Sequence, residues 1–204
     1  MKSTLTFIFV FLIGLVAAAC IHELGHAIAA WLQGIPCVPT PMKVYTLDSQ
    51  VRWGQEIWIM FGGVATTLVL TSGGLVWYFR TSHRHEDAIL SSIFLGPLAY
   101  SVRFLLSGRG HSDVEWQAAQ IALGVSPTGH FLDYLFLLLV VMAILVWVMR
   151  KHASLRLRSF IHLAALMVFG FAFLVALQNL NNSAFDRYFP EFRTLDRPEN
   201  LDSR

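Results

Sequence analysis

Five apolar stretches, each close to the length of a bilayer crossing, limit what this chain can become. A membrane helix needs about 20 apolar residues, because the hydrocarbon core is about 30 Å thick and holds no water to satisfy an open backbone. The stretches run from Leu5 to Leu32, Ile57 to Phe79, Ala88 to Leu106, Phe131 to Met149 and Phe160 to Leu180. Composition agrees: 55% of residues are hydrophobic and 14% charged, against about 25% charged in a soluble domain. The chain therefore reads as an all-α membrane protein, a bundle of about five transmembrane helices forming one domain over residues 1–182. Residues 183–204 alternate acids and arginines and read as a polar, solvated, mobile tail.

The first apolar stretch carries a group that does not belong in a bilayer. Residues 22 to 26 are His22-Glu23-Leu24-Gly25-His26. On a helix, i and i+4 share a face, so the two imidazoles can reach one metal ion. Glu23 lies about 100° further round, within reach of a water beside that ion. Ionisable residues inside a membrane helix are costly and mark function. The motif sits in the last third of a helix long enough to span roughly 40 Å, so it lies near one membrane face.

A catalytic zinc takes three protein ligands and keeps one position open. With five crossings, the segment on the motif's side of the membrane after the third is Ser107 to His130, containing Gly108-Arg109-Gly110-His111-Ser112-Asp113-Val114-Glu115. Asp113 is the favoured third ligand, since a carboxylate commonly completes a two-histidine site; His111 and Glu115 are the alternatives. Ser112 or Asp113 also suits the N-cap of a helix over Val114 to Leu123. In the second stretch, Phe61-Gly62-Gly63-Val64-Ala65-Thr66-Thr67 offers small residues for close helix packing, and Thr66 or Thr67 as a partner for a metal ligand.

Between the first two stretches, Pro36, Pro39 and Pro41 read as the helix stop. Met42–Leu47 and Gln50–Trp53 then read as a β-hairpin turning at Asp48-Ser49. Its edge suits strand addition by an extended peptide; Tyr45 and Trp53 equally suit an interfacial loop. The apolar pattern continues past Ala17-Ala18-Ala19-Cys20 to Leu32, which favours an uncut helix over a cleaved signal sequence. The chain reads as a multi-pass protein of the cell (inner) membrane; loop charges without the tail put its N-terminus in the cytoplasm, and counting the tail makes the two sides equal. Cys20 and Cys37 read as packing residues. The net charge of +2 and the lack of a basic stripe exclude a nucleic-acid partner.

At His22-Glu23-Leu24-Gly25-His26-Ala27 the chain resembles the site-2 protease family of intramembrane zinc metalloproteases. The resemblance runs through the Pro-rich exit to Gly62-Gly63, covering about the first 70 residues. Asp113 matches the family's distal aspartate ligand by its place along the chain. Its Ser112-Asp113 setting is similar to compact, divergent members rather than to those with an Asp-Gly pair and an upstream Asn-Pro. The resemblance implies one Zn2+ held by His22, His26 and Asp113, Glu23 as the catalytic base, and cleavage of membrane-protein or transmembrane-peptide substrates in or near the bilayer. A non-catalytic escort of the same fold is the main alternative. A di-iron enzyme would need further paired histidines, and a transporter would show inverted repeats.

Overall fold

The structure is a computed structural model that describes residues 2–46, 53–81, 86–107, 113–124, 130–151, 157–189 and 193–194. The described residues are mostly helical and form six helices: α1 (Lys2–Trp31), α2 (Trp53–Arg80), α3 (Glu86–Ser107), α4 (Asp113–Ala122), α5 (Phe131–Lys151) and α6 (Leu157–Tyr188). Three short strands, β1 (Cys37–Pro39), β2 (Val44–Thr46) and β3 (Arg193–Thr194), complete it. Among the described residues, three helices contain stretches long and apolar enough to cross a membrane: Leu5–Trp31, Gly54–Arg80 and Ala164–Phe185.

α1 is apolar all round, as expected of a helix facing lipid on one side and protein on the other. Leu5, Phe9, Ile13, Leu24 and Ile28 stay exposed, while Phe11, Leu15, Ala27 and Ala30 are buried. The helix passes Ala17-Ala18-Ala19-Cys20 unbroken and stops before the prolines. Gly34, at φ 76°, provides the stop. Its N–H bonds the Trp31 carbonyl and the Ile35 N–H bonds the Ala30 carbonyl, both at 3.0 Å. That pair of bonds is a Schellman cap, and a left-handed residue at its C′ position favours glycine. The stop signal is thus Gly34 rather than Pro36, Pro39 or Pro41.

α1 and α2 run antiparallel. Gln33 Nε2 donates to the Gln55 carbonyl at 3.2 Å at one end of the contact, and His22 meets Thr67 further along. At the crossing, a Cβ on Gly25 would collide with the Gly62 carbonyl and Thr66, and one on Gly62 with the Gly25 carbonyl and Ala29. Close backbone approach of this kind is the use of small residues in membrane helices, where packing rather than water drives association. α3 returns antiparallel to α2, tied at its start by the Tyr78 hydroxyl donating to Asp87 Oδ1 at 2.7 Å. It continues through Pro97, which is fully buried.

The strands differ from the expected hairpin. β1 and β2 pair antiparallel in the register Cys37↔Thr46, Val38↔Tyr45 and Pro39↔Val44, so the turn falls at 40–43. The Thr40 hydroxyl closes it by donating to the Lys43 carbonyl at 2.8 Å. Met42 and Lys43 are therefore turn, not strand, and Trp53 begins α2. Leu47 to Arg52, with the expected Asp48-Ser49 turn, lie outside the described residues. β3 adds to the other side of β2 in the register Tyr45↔Thr194 and Thr46↔Arg193. The stretch read as a tail thus begins as the last turns of α6 and returns to the sheet.

All three β2 residues are buried. Val44 packs in one cluster with Ala27, Ala30, Ile35, Ile57, Ile59, Met60 and Ala118. This cluster brings the ends of α1 and α2, the sheet and α4 together around the histidine motif. α4 lies within the segment read as a connection; its Ala119 joins Val64, Leu132 and Phe136 in a second cluster.

Candidate metal centre

His22 and His26 sit on the α1 face that meets α2. Their rings are edge to face, 4.7 Å between centroids at 87°. The two Nε2 atoms face each other at 3.1 Å. Metal–nitrogen bonds of about 2.0–2.1 Å would then subtend ~95–100°, and opening the pair by a few tenths of an ångström reaches the tetrahedral angle. The i, i+4 spacing therefore delivers the two nitrogens at the separation that two ligands of one zinc ion adopt.

The far nitrogen of each ring is anchored. His26 Nδ1 lies 2.7 Å from the Ile59 carbonyl. A carbonyl only accepts, so Nδ1 carries the proton and Nε2 is left with its lone pair. His22 Nδ1 lies 2.7 Å from the Thr67 hydroxyl, whose oxygen accepts when His22 is in the same tautomer. Such outer bonds fix ring orientation and tautomer and raise the basicity of the ligating nitrogen. They are the observation that the donor set fits a metal.

Gly63 explains how His26 reaches a carbonyl within a helix. A side chain four residues along normally leans back over the carbonyl of residue i. Position 63 is four past Ile59 and has no Cβ. One added there would fall on Nε2, Cε1 and Cδ2 of His26. The glycine is thus both the opening to the carbonyl and the seat of the ring. His26 is 5% exposed, while His22 and Glu23 are partly buried and retain access.

Among the described residues, no group of three or more His, Cys, Asp or Glu side chains gathers where it could hold a metal. The side chains of Asp113 and Glu115, and the whole of His111, lie outside the described residues. The backbone does locate Asp113: it is the first residue of α4, one position before the Val114 start expected from the sequence. Five residues later Ala118 packs with Ile59 and Met60, beside the carbonyl that holds His26. α4 thus lies on the part of α2 that carries the centre.

Thr67 was one of two hydroxyls the sequence offered; Thr66 instead donates to the Gly62 and Gly63 carbonyls at 3.1 and 2.9 Å. The Ile59 carbonyl and the role of Gly63 were not foreseen. A backbone acceptor carries no residue-type signal, although Gly62-Gly63 pointed to the right turn. Cys20 and Cys37 are both free thiols, and Cys37 Sγ lies 3.8 Å from the Ala27 carbonyl. Burial raises the Cys37 pKa above the ordinary 9.0. His130 pairs with Asp133 Oδ2 at 3.1 Å at the start of α5.

No protein-family model, curated protein or solved structure matches the chain.

Proposed function

We propose that this protein is a zinc-dependent intramembrane endopeptidase that cleaves membrane-protein substrates in or near a transmembrane segment. The carrying observation is the anchored pair: two Nε2 atoms 3.1 Å apart, each ring tied at its other nitrogen. In this reading His22 and His26 hold one Zn2+ and Asp113 completes the set. Bound there, zinc supplies an electrophile for the scissile carbonyl and lowers the pKa of a water towards about 7.

The chain's own part follows from its positions. The Glu23 carboxylate, one residue beyond His22, takes the proton of the attacking water and returns it to the leaving amine nitrogen. The Ile59 carbonyl and Thr67 hydroxyl keep both imidazoles oriented through the reaction. A substrate helix hides its carbonyls in internal bonds, so it must unwind before cleavage; the small sheet beside α1 offers replacement main-chain bonds. The large exposed residues of α1 are apolar and suit lipid, and the motif lies toward the end of that helix, so in this reading the reaction takes place at the bilayer's edge.

The reading extends to five crossings with a cytoplasmic N-terminus in the cell membrane. At about 1.5 Å per residue, α3 and α5 have the length to cross, beside the three helices with the longer apolar stretches. The test is cleavage of a transmembrane peptide by protein reconstituted in liposomes. Wild type should cleave, and Glu23→Gln should bind zinc but be inactive. Undiminished cleavage by Glu23→Gln would remove Glu23 from the mechanism. Zinc binding without cleavage by wild type would favour a non-catalytic escort.

A further inference from the structure

We propose that β3 is a displaceable strand: the C-terminal segment fills the edge of β2 that an extended peptide would pair with, and its release opens that edge. The inference rests on the peptidase reading for what the edge serves, and on the sheet itself for the rest.

β2 is the central strand, and Val44 shares its buried cluster with Ala27, Ala30 and Ile59. It is therefore the strand packed against the elements that carry the centre. One edge of β2 is held by β1 through three residue pairs and a short turn. That neighbour cannot leave without undoing the hairpin. The other edge is held by β3 through two pairs only, Tyr45↔Thr194 and Thr46↔Arg193. Two-residue edge pairing is marginal by itself. The β3 edge is thus the one that can be vacated cheaply, and a main chain entering there would make the same ladder bonds.

The fold supplies a clamp that keeps β3 close without holding the strand itself. The Tyr45 ring stacks on Phe185 of α6, 3.8 Å between centroids and 8° from parallel. Asn181 Nδ2 donates to the Tyr45 hydroxyl at 3.3 Å, and that hydroxyl lies 3.4 Å from Asn182 Oδ1. α6 is therefore pinned to β2 eight to twelve residues before β3 begins. β3 is presented at high effective concentration, and it can leave and return while α6 stays in place. An incoming occupant must outcompete a tethered strand. Recognition is through main-chain bonds, so the fitting partner is an extended, sequence-tolerant peptide segment.

The test uses the full chain in lipid nanodiscs, in a Glu23→Gln background so that the probe is not consumed. The probe is a fluorescent peptide with the sequence of residues 190–197, read by anisotropy. Arg193→Pro/Thr194→Pro, which removes both N–H donors of β3, should bind the probe at least about tenfold tighter than the parent. A second variant, Cys37→Ser/Thr46→Cys/Arg193→Cys, places a bond across paired positions. Its oxidised form should bind at least about tenfold more weakly than the same sample after reduction. Equal binding by parent and proline variant, or no change on reducing the lock, would overturn the proposal. Substrate cleavage is read separately in the Glu23 forms of these proteins. Its absence from all of them would remove the peptidase reading while leaving the edge result standing.

Discussion

Gly63→Ala puts one methyl group where the structure has no room. The added Cβ would fall on three atoms of the His26 imidazole, and these belong to a ring held in place rather than to the end of a flexible chain. The ring is fixed on its other side by the Ile59 carbonyl at 2.7 Å, so relief requires that bond to break or α1 to lift off α2. Losing an outer bond to a metal-binding histidine lowers metal affinity about 10–100-fold, which is about 1.4–2.7 kcal/mol. Overpacking adds a stability cost of about 1–3 kcal/mol. Gly73→Ala is the matched control: it lies in the same helix with nothing within 4 Å of its added Cβ. Replacing a mid-helix glycine there should help the helix by about 0.5–1 kcal/mol. Zinc affinity would be measured by chelator competition in detergent, with thermal melts alongside. The argument requires Gly63→Ala to lose at least about tenfold in zinc affinity and Gly73→Ala to lose none. Wild-type affinity in Gly63→Ala would refute the seating of His26 against α2.

The same geometry sets three further outcomes. Thr67→Val removes the hydroxyl at His22 Nδ1 and should weaken zinc binding about 10–100-fold, whereas Thr66→Val, whose hydroxyl serves only helix carbonyls, should leave it near wild type; the same competition assay distinguishes them. Tyr78→Phe deletes the bond to Asp87 and should lower stability by about 1–3 kcal/mol with zinc affinity unchanged, seen as a lower melting temperature at equal metal content. Burial raises the Cys37 thiol, so the folded state holds its proton more tightly than the unfolded state; stability from this source is complete below the unfolded value and is lost as pH rises through the folded one. Alkylation of Cys37 should accordingly be slow at neutral pH and still climbing above pH 9.0, the ordinary thiol value; a rate that levels off below that pH would contradict the burial.

The meeting of His22 and His26 was legible in the sequence because helical spacing alone brings the two rings together, whatever else the fold does. The long apolar helices and the close α1–α2 crossing at Gly62 were legible for a similar reason: length and residue size act locally. Strand register was not. Val44-Tyr45-Thr46 was recognised as extended, but its partner is Cys37–Pro39, three residues that read as a helix exit. Pro39 fits there because β1 lies at the sheet's edge, where a missing N–H costs nothing. The prolines read as the α1 stop because proline is the stronger breaker, yet Gly34 comes first and its left-handed φ completes the cap. β3 was illegible because its only reason to be a strand is β2, which lies at the other end of the chain. The Ile59 carbonyl was illegible too, since every residue has one and only the missing side chain at Gly63 exposes it.

Zinc content of the purified protein tests the central claim most directly. Wild type should carry one zinc per chain. His22→Ala and His26→Ala should lose it, Glu23→Gln should keep it, and Asp113→Ala should lose it where His111→Ala and Glu115→Ala do not. Wild-type protein that binds no zinc, or that keeps its full zinc in His26→Ala, would contradict the account.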